Sequence, residues 1–235
     1  MWGGDGMVQR CIDVAAGTDA TIAIIPAGTA NLLATNLGIP KDVEEAVQIG
    51  LAGARRRIDV GRVNGEGFAV MAGAGFDARM IGDADGTLKD RFGRLAYIWT
   101  GARNLRAEPF GARIDVDGSR WFRGDASCVL LGNVGRLFGG VEAFDDARPD
   151  DGALELGVVT ATGTTQWVRT IARAVVGDGS AAKHAQATKG RSIRIRFDRK
   201  VPYELDGGDR SKVRRLDIDV EPAAVEVCVP VPTEG

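Results

Sequence analysis

Met1-Trp-Gly-Gly-Asp-Gly6 is a glycine loop, and an apolar-periodic stretch over residues 7–16 follows it directly. Glycine loops that approach phosphates normally follow a strand and open a helix. The helix is present here, with Met7, Val8, Cys11, Ile12, Val14 and Ala15 roughly on one face. Gly17 closes it in the manner of a C-cap. A short apolar strand over 20–25 then runs into a second loop, Pro26-Ala-Gly-Thr-Ala-Asn31. A helix with Leu32, Leu33 and Leu37 stops at Gly38-Ile-Pro40. Asp42 caps a further helix over 43–54 that turns Ala46, Val47, Ile49 and Leu51 inward. This is α/β material. A lone strand makes no sheet, so residues 1–56 read as the C-terminal part of an α/β domain. Ala23, Ile24 and Ile25 are then expected on a sheet edge short of neighbours, a source of poor solubility.

Beyond Arg57 the texture changes. Alternating or continuous apolar runs predict strands over 58–63, 67–71, 111–116, 127–131, 154–159, 192–197, 216–220 and 225–229. Asp117-Gly118 predicts a hairpin turn. Two helices, over 91–105 and 164–176, interrupt the strands. Residues 57–221 therefore read as a mostly antiparallel, sandwich-like β-rich domain. Residues 222–235 carry a final strand expected to return to the first domain.

Composition narrows the function. The 235 residues hold 30 Lys and Arg against 32 Asp and Glu, a net charge of −2. No overall basic field draws the chain to nucleic acid or to an anionic membrane, which leaves membrane attraction to local patches. Cys11, Cys128 and Cys228 have no metal-ligand spacing and read as reduced thiols. The one histidine, His184, sits in a polar stretch and reads as a surface residue; multi-histidine metal sites are excluded. No run approaches the ~20 apolar residues of a membrane span, and no signal peptide is legible. A cytoplasmic protein is expected.

Five segments could carry chemistry. Gly3, Gly4 and Gly6 leave backbone free to wrap a phosphate, and Asp5 suits a cap or a Mg²⁺ ligand. Gly28, Thr29 and Asn31 offer close backbone approach and small polar groups, or simple N-capping. Gly75-Phe-Asp-Ala78 places Asp77 at a loop or helix start. Asp150-Asp-Gly-Ala-Leu154 is a turn whose Asp151 could hold a hard cation. Asp206-Gly207 is a hairpin turn, or a site whose Asp206 acts as general base toward a hydroxyl that attacks a phosphoryl group. The triplet Arg55-Arg-Arg57 reads as a helix C-terminus or as a headgroup contact.

In this order the segments resemble the diacylglycerol kinase family, in its soluble bacterial lipid kinase branch. The family is similar in having Gly-Gly-Asp-Gly-Thr, Pro-x-Gly-Thr-x-Asn with Leu-Gly-Ile-Pro, Gly-Phe-Asp-Ala, Asp-Asp-Gly-x-Leu and a late Asp-Gly-Glu. The resemblance spans essentially the whole chain. It implies ATP-dependent phosphorylation of diacylglycerol or a similar lipid alcohol, Mg²⁺, and peripheral contact with the inner face of the membrane. It implies a site in a cleft between a nucleotide domain and a β-rich domain. Gly3, Gly4, Asp5 and Gly6 would line the phosphates, with Gly28, Thr29 and Asn31 opposite. Asp77 would join a metal–water network and Asp206 would be the base. Asp151, with the carbonyls of Arg148 and Ala153, would hold a structural Mg²⁺. The oligomeric state is open, a homodimer included.

Three departures stand out. Met7 replaces the family's Thr, and Gly208 replaces its Glu, with Asp209 one residue on. The family's Asn-Pro-x-Ser-Gly strand-loop precedes Gly-Gly-Asp-Gly, whereas here Met1 begins two residues before Gly3. The chain is accordingly expected to be an N-terminally truncated lipid kinase that binds ATP weakly by itself. The alternatives are an inactive lipid- or nucleotide-binding relative, and an NAD kinase-like enzyme of the wider superfamily.

Overall fold

Helix α1 (Asp5–Ala15) starts inside the glycine loop, and Gly17 closes it in the left-handed region at φ 77°. The computed structural model describes residues 1–75, 109–136, 144, 146–160 and 185–232. Asp77, His184 and the helices expected over 91–105 and 164–176 lie outside these residues.

Val8, Ile12 and Ala15 form the buried stripe of α1, while Met7 and Val14 face solvent. The expected apolar face is thus narrower than the sequence suggests, because the helix packs on one side only. Strand β1 (Trp2–Gly3) pairs in parallel with β3 (Ile25–Pro26), and β2 (Thr21–Ile22) lies between α1 and β3 in the chain. The single strand expected over 20–25 is therefore two short ones. Among the described residues β3 pairs with β1 alone in a two-stranded sheet, so it is an edge short of neighbours as expected, although Ile24 is buried and the Ile25 N–H donates to the Met1 carbonyl.

Helix α2 (Leu32–Asn36) ends in a Schellman motif. The Ile39 N–H donates to Ala34 and the Gly38 N–H to Thr35, with Gly38 at φ 73°. Helix α3 (Val43–Ala52) is capped as expected, the Asp42 Oδ1 accepting from the Glu45 N–H at 3.0 Å. Leu51, expected inward, is exposed instead. Arg55, Arg56 and Arg57 are not a helix terminus. They lie on strand β4 (Ala54–Val63), where Arg56 pairs with Asp150 at 2.7 Å.

The rest is antiparallel: β5 (Glu66–Phe68), β6 (Met71–Ala74), β7 (Phe110–Val116), β8 (Ser119–Ala126), β9 (Cys128–Gly132), β10 (Leu154–Val159), β11 (Ala185–Gly190), β12 (Ser192–Leu205) and β13 (Gly208–Val229). Among the described residues the main path runs β11-β10-β9-β6-β12-β13-β4-β5, with β7 on β12 and β8 on β7. Asn64-Gly65, Asp117-Gly118 and Asp206-Gly207 all have positive φ at both positions. Each closes a two-residue hairpin whose turn follows the strand twist. Strands expected separately over 216–220 and 225–229 are one strand, β13, with a register shift between Glu221 and Val225 that accommodates Pro222.

Two hydrophobic clusters result. One joins α1, α2 and α3 to β4 and the last residues of β13, among them Val225, Val227 and Val229. The other fills the antiparallel sheet around Phe68, Ile114, Leu131, Leu156 and Ile195. Beyond the register shift, β13 pairs in parallel with β2, Glu226 opposite Thr21 and Val227 opposite Ile22. The fold is thus a small α/β unit followed by an antiparallel β-rich one. No helix among the described residues is long and apolar enough to cross a membrane.

Candidate functional site

The parallel pairing of β1 and β3 sets the two glycine loops against each other. A Cβ on Gly28 would stand 2.6 Å from the Gly4 Cα and 2.9 Å from the Asn31 Oδ1. Only a hydrogen fits there. Asn31 occupies the N-cap position of α2 in the left-handed region, but its side chain does not cap the helix. The Gly28 N–H donates to its Oδ1 at 2.7 Å, and its Nδ2 donates back to the Gly28 carbonyl at 2.7 Å. Asp5 takes the capping role across the loops: its Oδ1 accepts from the Leu32 N–H at 2.6 Å. Thr29 is exposed at the rim.

Asp206 reaches the same place from the far end of the sequence. Its backbone makes the β12–β13 turn, at φ 47°, and turns the carboxylate inward. Oδ1 accepts from the Val70 and Met71 N–H groups at 2.9 and 2.8 Å, and Oδ2 from the Ala69 N–H at 2.8 Å. These bonds use three of the roughly four acceptor positions of a carboxylate. Burial pushes the carboxyl up to about 6, against those three N–H groups, and the charge of Asp5 adds to the rise. Gly4, Asp5, Gly6, Met7, Gly28, Thr29, Ala30, Asp206 and Gly207 line one cavity of about 350 Å³. The hairpin turn and the buried carboxylate are thus the same feature.

A frame of long-range contacts holds the turn. The Arg210 Nε lies 2.9 and 2.8 Å from the two carboxylate oxygens of Glu66, and its Nη1 donates to the carbonyls of Gly208 and Asp209. This pairing holds the Glu66 carboxyl below the usual range. A Cβ on Gly208 would meet the Arg210 Nη1 at 2.7 Å, so the glycine leaves room for the guanidinium. From α1, the Gln9 Nε2 donates to the Gly67 carbonyl, and Asp13 accepts from the Gly67 N–H and from Arg62. Behind the 69–71 segment the Asn133 Nδ2 donates to the carbonyls of Asp59 and Ala69.

The Asp150-Asp-Gly turn is tied down through a residue that local pattern did not mark. Buried Asp59 accepts from the Gly152 N–H at 2.6 Å and the Ala223 N–H at 2.8 Å. Asp151 is exposed. Its Oδ1 accepts from the Ala153 N–H at 3.2 Å and its Oδ2 is bonded by the Lys189 ammonium. Among the described residues no three His, Cys, Asp or Glu side chains converge on a metal position.

Asp5, Gly28, Asn31 and Asp206 therefore come together, while Asp151, with Arg148 and Ala153, belongs to a separate turn. Asp77 lies outside the described residues. Asp59, Asn133, Gln9, Glu66 and Arg210 had no local signature, because each acts on a segment distant in sequence.

Residues 1–63 match the diacylglycerol kinase catalytic domain, and residues 70–229 match the YegS C-terminal NAD kinase beta sandwich-like domain. The chain belongs to the diacylglycerol kinase family. A diacylglycerol kinase of Bacillus subtilis (strain 168) is 30% identical over 209 residues, covering 87% of this chain and 69% of that one. A probable lipid kinase of Enterobacter sp. (strain 638) is 32% identical over 167 residues, 68% of this chain and 56% of its own. The chain thus spans between about half and about three quarters of these kinase relatives. A crystal structure described as a diacylglycerol kinase from Bacillus anthracis str. Sterne superposes with TM-score 0.78 at 26% identity, over 97% of this chain and 75% of that one. An NAD kinase from Archaeoglobus fulgidus in complex with ATP superposes at 0.55 and 12% identity, which shows a shared kinase fold alone.

Proposed function

We propose that the protein transfers the γ-phosphoryl group of ATP to the hydroxyl of diacylglycerol or a similar lipid alcohol. The observation that supports this most directly is the inward carboxylate of Asp206 across one cavity from the two glycine loops. With three acceptor positions filled, Oδ2 keeps one for a substrate hydroxyl. A carboxyl near 6 is mostly ionised at neutral pH yet basic enough to take a proton. Asp206 accepts the hydroxyl proton as the alcohol oxygen attacks phosphorus, and ADP leaves.

Gly3, Gly4, Gly6 and Gly28 present backbone without side chains to the phosphates, at the start of α1. Thr29 stands at the rim, and Asn31 holds the second loop in shape. Asp5, whose Oδ1 alone is taken by the Leu32 N–H, supplies a hard oxygen donor that would fit a Mg²⁺ ion carried with the nucleotide; bound there, the ion would neutralise phosphate charge. Asp77 is proposed to join that metal's water network. The Asp151 turn, with the carbonyls of Arg148 and Ala153, fits a structural Mg²⁺ only if Lys189 is displaced, and no step depends on it. The substrate places the enzyme in peripheral contact with the inner face of the membrane.

The test is phosphotransfer from radiolabelled ATP to diacylglycerol in neutral detergent micelles, using the full gene product. Asp206→Asn is expected to lose at least ~10²-fold in rate. Wild-type turnover by that variant would remove Asp206 as base. Phosphorylation of NAD in place of lipid would redirect the reading to the NAD kinase branch.

A further inference from the structure

Four arginines stand in one cross-strand row. Arg123 on β8 is opposite Arg113 on β7, Arg113 opposite Arg196 on β12, and Arg196 opposite Arg215 on β13. All four are exposed. At the usual spacing of neighbouring strands the row spans roughly 14 Å. Like charges directly opposite each other destabilise a sheet. The neighbouring row shows the ordinary solution, in which Arg120 bonds Asp115 and Arg194 lies 3.5 Å from Asp217. In the arginine row only Arg215 has such a partner, Asp217 at 2.7 Å. Asp115 lies within electrostatic reach of Arg113 and Arg196 but bonds Arg120. Among the described residues Arg113, Arg123 and Arg196 form no ion pair or hydrogen bond. They wall a shallow concavity of about 420 Å³, floored where Gly111 and Gly124 lack side chains and bordered by Asp125 and Asp198.

We propose that this solvent face of β7, β8, β12 and β13 docks the protein onto an anionic bilayer. The inference rests on the lipid kinase reading for its purpose and on the strand register for its location. Planar guanidinium groups bind phosphate oxygens through paired N–H donors, which suits lipid headgroups. A broad sheet face meets a plane along its whole length. A duplex groove, in contrast, admits a helix or a two-stranded ribbon. Exposed Arg199, Lys200, Lys212 and Arg214 lie further along the β12–β13 hairpin, whose turn carries Asp206. Docking along the hairpin therefore aligns it, and the turn that carries the proposed base, with the bilayer. Trp121, half-buried beside the row at a register shift, packs near Phe122 with ring centroids 6.2 Å apart. Tryptophan favours the headgroup level of a membrane. The net charge of −2 conceals this segregation.

The test is co-sedimentation of the full gene product with vesicles of phosphatidylglycerol mixed with phosphatidylcholine, and with phosphatidylcholine alone. Binding to the anionic vesicles alone, reversed by high salt, is expected. The triple variant R113Q/R123Q/R196Q should weaken partitioning on the order of 10²-fold, from the usual attraction per basic residue near an anionic surface. Its melting temperature should not fall, because the substitutions relieve repulsion. A control that removes as many charges elsewhere, R10Q/K41Q/K189Q, should bind as wild type. Equal loss in the control, unaltered binding by the triple variant, or no wild-type binding would each overturn the proposal. So would a preference for nucleic acid, or self-association that the triple substitution abolishes. Phosphotransfer in neutral micelles is measured separately: activity without vesicle binding refutes the docking face alone, and vesicle binding without activity refutes the kinase reading alone.

Discussion

Asp5 and Asp206, two hundred residues apart in the chain, line the same cavity, where burial first and then the charge of Asp5 hold the Asp206 carboxyl at about 6. Asp5→Asn keeps an acceptor for the Leu32 N–H and removes the charge. The acidic limb of the pH–rate profile should therefore move to lower pH with little change in melting temperature. A shift in the other direction would show that Asp5 does not act on Asp206 in this way.

The same carboxyl links stability to pH. Its folded value near 6 lies above the unfolded value near 3.9, so the folded state holds the proton more tightly. Its contribution is fully present below about pH 4 and is lost as pH rises through 6, a change of about 3 kcal/mol. Urea unfolding from pH 4 to 7 should show this decline on top of the other groups. In Asp206→Asn the decline should vanish. That variant should also be less stable at pH 4, because an amide NH₂ would face the Ala69 N–H. An unchanged pH slope in the variant would contradict the assignment.

Gly28 and Gly6 make a matched pair of tests. Gly28→Ala drives a Cβ into the Gly4 backbone, which should cost about 1–3 kcal/mol and part the two loops. ATP affinity, measured by calorimetry, should fall with it. A Cβ on Gly6 meets nothing within 4 Å, and Gly6 lies inside α1. Gly6→Ala should leave thermal stability unchanged or raise it by up to about 1 kcal/mol. Equal destabilisation by both would mean that loop contact is not what excludes the side chain.

Arg210 clamps the Asp206 turn against Glu66. Arg210→Met should lower stability by about 1 kcal/mol, given the partial exposure of the pair. It should also move the acidic limb of activity to higher pH, since Arg210 and Asp206 attract. Arg210→Lys should restore much of the pH profile but less of the stability, because lysine cannot make the forked contact with Glu66. A Met variant with an unshifted profile would leave Arg210 a purely structural role.

Legibility followed range. The Schellman stop at Gly38, the cap at Asp42 and the turn at Asp117-Gly118 are written within a few residues, and all were readable. Asn64-Gly65 carries the same turn signal as Asp117-Gly118. The length of β12 and β13 was hidden by Asp198-Arg-Lys200 and by Pro222, which break the alternation where the register shifts. Asp59 was beyond reach for another reason. Its partners at Gly152 and Ala223 are 93 and 164 residues away. The arginine row is likewise invisible until strand order and register are known.

The path of β13 also bears on how the protein is made. Its last residues, Val225 to Val229, pack under helices formed by the first fifty residues and hydrogen-bond beside β2. On the ribosome those helices emerge early, with one side of their apolar layer uncovered. They stay so until the end of β13 is released, after the whole intervening sheet has been translated. Such distant pairing is slow and leaves apolar surface exposed to aggregation in the interval. The glycine-loop half of the candidate cavity is thus translated well before the strand that completes the core beneath it.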